Sequence, residues 1–206
     1  MKNKAFTLIE LLIVVAIIGI LAAIAIPNFL MAQVRAKVSH GVAEMSSCVT
    51  ALESYRIDNS QYPPAGDLRA GLNPRTTGYH SRLPSYLTSP VAYIKSLPFD
   101  PFVEEQSTWS NTYYPVSSGV GKRYVYYQTQ FMVEDNGDLW GGLQQWVGAW
   151  LFYGYGPDKT PFHGARATLL PYDPTNGTIS LGNVIKCQKK ADGIPVHPTT
   201  GTYLWP

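Results

Sequence analysis

The chain has 206 residues, a formal net charge of +2 and only 15% charged residues. This balance leaves no basic stripe of the kind that binds nucleic acid, so no nucleic-acid partner is expected. Once an apolar N-terminal span is set aside, roughly 150 residues remain, which is enough for one domain. The 16 prolines, 18 glycines and 14 tyrosines favour a loop-rich, partly β domain over a helical bundle.

The N-terminal span is an uninterrupted apolar run. Residues 11–26 are sixteen consecutive apolar residues, and counting from Phe6 the span has 21. As a helix it would measure roughly 30 Å, the thickness of a bilayer core. Lys2 and Lys4 precede it without an acidic neighbour, which indicates that this end stays in the cytoplasm. The pattern predicts a transmembrane helix over residues 6–27.

Glu10 is a carboxylate close to the start of this apolar span. A charge inside a membrane is costly, so it is expected to have a partner. In one interpretation Glu10 lies at the depth of the lipid headgroups and is solvated there. In the other it pairs with the free α-amino group of a neighbouring copy, after the five residues before Phe6 have been removed.

A cleaved secretory signal peptide is an alternative reading of the same span. Ala23 and Ala25 would allow the required small-x-small cleavage site. However, the amphipathic pattern continues past Pro27 without a turn-rich break, which favours a retained helix.

The start of the chain carries a resemblance to a known family, in the sequence Lys4-Ala5-Phe6-Thr7-Leu8-Ile9-Glu10-Leu11-Leu12. It resembles the signal of type IV pilins and of the pseudopilins of type II secretion systems. The resemblance implies that prepilin peptidase cuts between Ala5 and Phe6 and then methylates Phe6, so that residues 1–5 are a leader peptide. It also implies that Glu10 is the carboxylate that aids assembly. Ala5 is a departure, because the family usually has Gly there.

The helical pattern continues beyond the membrane span. Over residues 28–60 the apolar positions recur every three or four residues, at Val34, Val38, Val42, Met45, Val49 and Leu52. This spacing predicts an amphipathic continuation of the same helix, with one face packed on a globular head. Pro27 and Gly19 are predicted weak points of the helix, since proline removes a backbone hydrogen bond and glycine has low helix propensity.

Residues 61–206 are expected to form a loop-rich β head. The helix should stop before Tyr62-Pro63-Pro64, a phrase that resembles the helix end of the major pseudopilin of type II secretion. Residues 87–102 resemble the loop that leads into the sheet of that subunit. Aromatic and β-branched runs at residues 124–133 and 146–153 predict strands. Three or four antiparallel strands against the helix give an α+β fold, and the resemblance implies the pilin fold.

The two cysteines, Cys48 and Cys187, are far apart in the sequence. Export to an oxidising compartment would allow one disulfide, which would tie the long helix to the C-terminal region. Two buried free thiols are the alternative, because the sequence gives no distance between them.

Calcium is the one metal that the sequence suggests. Hard oxygen ligands occur close together in two loops, from Asp158, Asp173, Asn176 and Ser180. The major pseudopilin family, which the chain resembles, binds calcium in a C-terminal loop. The alternative is that these residues form ordinary Asx turns.

No enzyme signature is found, and the four histidines have no ligand spacing. The resemblance implies a structural pseudopilin of a type II secretion pseudopilus, a single-pass protein of the bacterial inner membrane with its head in the periplasm. Its implied partners are copies of itself, other pseudopilins, prepilin peptidase, the membrane and an inner-membrane assembly platform. The alternatives are a type IV pilus subunit or minor pilin with an adhesive or binding head, and a membrane-anchored periplasmic enzyme.

Overall fold

A long helix and a small sheet make up the regular structure of the chain. The computed structural model describes residues 7–64, 82–103, 120–129, 144, 147–160, 171–173 and 182–189. Within these residues the elements are one helix, α1, at Leu8–Asn59, two short 3₁₀ turns at Ser85–Leu87 and Val120–Lys122, and three strands. The strands are β1 at Val125–Gln128, β2 at Trp150–Gly154 and β3 at Val184–Cys187.

Helix α1 has 52 residues and a defined cap at each end. Thr7 is the N-cap, and its hydroxyl and the Glu10 carboxylate form a reciprocal capping box. At the other end Ser60 adopts a left-handed conformation with φ 60°, which stops the helix before the prolines. Pro27 lies inside α1 without ending it, because a single proline costs the helix one backbone hydrogen bond.

The three strands form an antiparallel sheet in the order β1-β2-β3. Tyr126 pairs with Phe152, and Phe152 pairs with Lys186, so these three residues share one face. That face packs on α1, where Tyr126 and Phe152 join Met45 in one buried core cluster. The long helix and the antiparallel sheet confirm the predicted α+β pilin fold.

The opposite face of the sheet is buried as well. It carries Tyr127, Leu151, Tyr153 and Cys187, all of them at most 3% exposed. Alternation along a strand puts these residues on the side away from α1. The sheet is therefore the middle layer of the head.

Strand β2 is shorter than the sequence predicts. The run from residue 146 suggests a strand to 153, but β2 begins at Trp150. Gly148 has φ +87°, and a β-carbon there would lie 2.5 Å from Gln188 Oε1. This left-handed glycine breaks the extended backbone just before the strand, because only glycine adopts the conformation freely.

The two cysteines lie on different sides of the sheet. Cys48 belongs to the core cluster between α1 and the sheet, whereas Cys187 pairs with Leu151 on the far face. Both are buried, and neither is part of a disulfide. The disulfide that the sequence left open is not formed in this structure, because the sheet separates the two thiols.

Candidate functional site

Glu10 is held at the first turn of α1 by Thr7. The Thr7 backbone N–H and hydroxyl both donate to Glu10 Oε2, at 2.9 and 2.8 Å, and the Glu10 N–H donates to Thr7 Oγ1 at 3.3 Å. The carboxylate therefore lies at the positive end of the helix dipole.

Ala5 and Phe6, the predicted processing residues, lie outside the described residues. Thr7, which bonds the Glu10 carboxylate, follows Phe6 directly in the sequence. A carboxylate in this position can pair with an ammonium group, either that of its own chain or that of a neighbour.

The first half of α1 is an uncovered apolar surface. The large apolar side chains from Leu8 to Leu30 are each about half exposed or more, with Leu8 at 78% and Phe29 at 63%. Within the described residues α1 is long and apolar enough to cross a membrane. A water-soluble protein rarely exposes an apolar surface of this extent, so another apolar phase or another chain must cover it.

Gly19 and Pro27 both lie in this uncovered half of α1. A β-carbon at Gly19 would meet no heavy atom within 4 Å. Close packing within the monomer therefore does not require glycine at this position. Both residues remain predicted weak points of the helix.

The second half of α1 is fixed to the head by Glu44 and Glu53. The Tyr124 hydroxyl donates to Glu44 at 2.9 Å. Glu53 Oε1 accepts hydrogen bonds from the Tyr62 hydroxyl at 2.9 Å and from Trp150 Nε1 at 3.2 Å. Sequence reasoning missed both carboxylates, because their partners are 80 and 97 residues away in the chain.

Asp100 joins the loop before β1 to the sheet. Its carboxylate accepts the backbone N–H groups of Phe102 and Tyr155, and its own N–H donates to the Lys122 carbonyl at 2.7 Å. Burial raises the pKa of Asp100 to about 7, although the two N–H donors and the nearby Arg82 act against this rise. Sequence reasoning identified residues 87–102 only as a loop that leads into the sheet, and it missed this role of the Asp100 carboxylate.

The proposed calcium ligands are only partly within the described residues. Asp158 and Asp173 are described, whereas Asn176 and Ser180 lie outside. Asp158 Oδ2 accepts the Thr160 hydroxyl at 2.7 Å. A β-carbon on Gly156 would lie 1.6 Å from the Gly182 carbonyl oxygen and 3.2 Å from Asp158 Oδ1, so these two oxygens lie near each other.

Oxygen atoms of this kind suit calcium. However, no group of three or more His, Cys, Asp or Glu that could hold a metal is found among the described residues. The fit is therefore partial, and calcium binding stays a prediction that depends on Asn176 and Ser180.

The chain is similar to known proteins at its N-terminus and over a longer stretch. Residues 1–26 match the family model described as the prokaryotic N-terminal methylation motif. The type IV major pilin protein PilA of Myxococcus xanthus is 52% identical over 61 residues, but this covers only 30% of the chain and 28% of the pilin. No solved structure matches the chain.

Two type II secretion proteins match over a longer stretch. The type II secretion system core protein G of Aeromonas hydrophila is 34% identical over 119 residues, which is 57% of this chain and 76% of that protein. The corresponding protein of Vibrio cholerae is 35% identical over 118 residues, covering 57% of this chain and 73% of that protein. These matches run beyond the N-terminal helix into the head. The chain therefore belongs to the family of the type II secretion system core protein G, the major pseudopilins.

Proposed function

We propose that this chain is the subunit of a type II secretion pseudopilus, polymerised through its N-terminal helix to drive protein export. The observation that carries the proposal is the contrast within α1. Its first half, Leu8 to Leu30, is apolar and uncovered, whereas its second half is packed on the head. Removing each exposed Leu, Ile or Val from water contributes roughly 1.5–3 kcal/mol, so this surface is stable either in lipid or in a bundle of such helices, but not in water.

Processing comes first in the proposed sequence of events. The chain is inserted once in the bacterial inner membrane, with its N-terminus in the cytoplasm and its head in the periplasm. Prepilin peptidase cuts between Ala5 and Phe6 and methylates the new amine of Phe6. The cut also removes Lys2 and Lys4, the two cations that precede the apolar span.

Assembly then depends on Glu10. An assembly platform in the inner membrane would move the subunit from lipid into the filament, where copies of the same chain and other pseudopilins surround it. A carboxylate among apolar helices is costly unless it is paired. The Glu10 carboxylate would pair with the methylated amine of Phe6 on the adjacent subunit, which would set the axial register between the two helices.

A type IV pilus subunit is the second candidate. The 52% identity to a major pilin favours it, but that match covers only 30% of this chain. The match to core protein G proteins extends to 57% of the chain, which favours the pseudopilus. Both candidates are structural subunits, and we propose no enzymatic activity for the head.

The test is the variant Glu10→Ala. We expect it to be inserted and processed as the wild type, with an intact mass that begins at N-methylated Phe6, and to form no filaments in electron micrographs. Asp58→Asn is the matched control, because it removes an exposed charge at the other end of α1 while keeping an oxygen that can accept the Tyr93 hydroxyl, and it should assemble normally. Normal filaments from Glu10→Ala would contradict the assembly role of Glu10.

The same preparation tests the choice of system. A mature chain that still begins at Met1 would rule out processing. Filaments confined to the periplasm, together with loss of protein export when the chain is deleted, support the pseudopilus. Filaments on the cell surface with normal export would support the pilus instead.

A further inference from the structure

In the part of α1 that immediately follows the apolar span, the charged residues are all basic. Between Glu10 and Glu44 the sequence contains no acidic residue, whereas it contains Arg35 and Lys37. Both cations are exposed. They lie five and seven residues beyond Leu30, or about 8 and 11 Å along the helix. On the far side of a membrane that the helix spans, these positions are at the outer edge of the headgroup layer, which is about 5–8 Å thick, and long cationic side chains can reach back into it.

A second group of cations lies in a cleft beside the same helix. The cleft has a volume of about 630 Å³, and Lys95 and Arg123 line it together with two hydroxyl side chains, Thr88 and Ser96. Its apolar wall includes Phe99, which is 53% exposed. The cleft therefore combines positive charge, hydrogen-bond donors and an exposed aromatic ring.

Among the described residues, the only carboxylate that lines this cleft is Glu44. Its Oε2 accepts the Tyr124 hydroxyl at 2.9 Å and lies 3.4 Å from His40 Nδ1. Arg123 is also engaged, since it donates to the Leu83 carbonyl at 3.1 Å. The described lining residues therefore include two cations and one carboxylate, and their net charge is positive.

The cleft is at the end of the head that faces the apolar span. Glu44 stands 14 residues beyond Leu30, or about 21 Å along the helix, whereas the end of α1 at Asn59 is about 44 Å beyond it. The run of exposed apolar side chains from Leu8 to Leu30 is 23 residues, or about 34 Å, which exceeds a hydrocarbon core of about 30 Å. A span longer than the core tilts, and tilting lowers one side of the head toward the lipid surface.

From these placements we propose that Arg35, Lys37 and the cleft cations Lys95 and Arg123 form a binding surface for anionic phospholipid headgroups. The lipid is that of the leaflet on the head side of the membrane. The phosphate groups contact the cations, and Phe99 lies at the interface. The attraction between these cations and the phosphate groups favours a tilt of α1 that brings the cleft side of the head toward the membrane. It holds the subunit in that orientation before assembly.

The proposal rests on the membrane insertion in the proposed function, not on filament assembly. Its test uses the full chain in lipid nanodiscs of phosphatidylcholine, with and without phosphatidylglycerol. A fluorescent label on Ser96→Cys reports contact with the surface through quenching by a spin-labelled lipid headgroup. Cys48 and Cys187 are buried, so the label reacts selectively. A label on Ile57→Cys is the control, because Ile57 is 80% exposed at the far end of α1.

We expect quenching at residue 96 to rise with phosphatidylglycerol and to fall at high salt, and quenching at residue 57 to change with neither. Each of Arg35→Gln, Lys37→Gln and Lys95→Gln should weaken the lipid contact about fivefold. Arg56→Gln is the matched control, since Arg56 is an exposed cation in the last turn of the same helix. It should leave the quenching unchanged.

Three outcomes would overturn the proposal. Equal quenching in neutral and anionic discs would exclude recognition of lipid charge. Quenching that follows the number of chains per disc instead of lipid composition would identify a second copy as the occupant. A chain that does not enter the discs at all would overturn the insertion itself, and with it the proposed function.

Discussion

At the scale of single residues, the Asp100 carboxylate holds separate segments of the loop-rich head together. It accepts two backbone N–H groups from different segments, at Phe102 and Tyr155, while its own N–H bonds to Lys122. The buried side chain therefore joins the connecting loop to the end of β2, and the backbone of the same residue joins it to the segment before β1. An amide in its place could accept only through one oxygen.

We predict that Asp100→Asn destabilises the head. One of the two N–H groups would lose its acceptor in a buried position, which costs about 1–3 kcal/mol. Urea unfolding of the full chain in detergent, followed by tryptophan fluorescence, measures the change. Asp58→Asn is the control, because Asp58 is exposed and the amide oxygen can still accept the Tyr93 hydroxyl that Asp58 accepts. This variant should unfold within about 0.5 kcal/mol of wild type.

The same residue predicts a dependence on pH. Burial raises the pKa of Asp100 from 3.8 to about 7 in the folded chain. Because the pKa of Asp100 is higher in the folded chain than in the unfolded chain, this group stabilises the fold fully at pH values below its unfolded-state pKa. The contribution is lost as pH rises through about 7, the folded-state pKa. The stability difference between wild type and Asp100→Asn should therefore shrink from pH 4 to pH 8. A difference that grows over this range would contradict the raised pKa.

At the scale of elements, the two halves of α1 differ in what covers them. Residues 8–30 are covered by nothing in the described part of the chain, whereas Met45, Cys48 and Leu52 are fully buried against the sheet. Glu53 closes this contact at the helix end, where Tyr62 and Trp150 both donate to it. The second half of α1 and the sheet therefore form one packed unit, and the uncovered first half of α1 extends from it.

We predict that Glu53→Ala loosens the end of α1 from the sheet. The hydroxyl of Tyr62 and the indole N–H of Trp150 would lose their common acceptor, at a cost of about 2–3 kcal/mol. Hydrogen exchange of the last two turns of α1 should accelerate, and the fluorescence of Trp150 should shift toward that of an exposed indole.

Ser54→Ala is the control for this change. Its hydroxyl donates to the Thr50 carbonyl within the same helix, at 3.0 Å, so its loss should leave the contact between helix and sheet intact. Unchanged exchange in Glu53→Ala would show that apolar packing alone holds the helix end.

At the scale of the whole molecule, the sheet is a partition between two buried layers. Cys48 lies in the layer that contains α1, and Cys187 lies in the other. Burial raises the pKa of the Cys48 thiol to about 12, which keeps it protonated and unreactive. The molecule is thus held together by packing and buried hydrogen bonds between segments that are distant in the chain.

We predict that both cysteines stay reduced in the mature protein. A thiol count after unfolding without reductant should find two free thiols per chain, and reductant should leave the urea midpoint unchanged. A count of zero, with a midpoint that falls on reduction, would mean that the two sides of the sheet are connected differently.

Several features of this protein follow from its sequence alone. The apolar run, the position of Glu10 within it and the spacing of apolar residues in α1 are all local. Helix formation depends on neighbours three or four residues apart, so these patterns were sufficient for the helix and for the processing motif. The α+β class followed in the same way from short aromatic runs, although Gly148 shortened β2.

The tertiary structure alone decided which distant groups meet. The pairing of Glu53 with Trp150, the bonds of Asp100 to Tyr155 and the separation of the two cysteines all depend on how the sheet lies on α1. So does the cleft that brings Lys95 and Arg123 together. Such contacts join residues from opposite ends of the chain, and local spacing carries no information about them. Their positions are set only when the strands pair and the helix packs on the completed sheet.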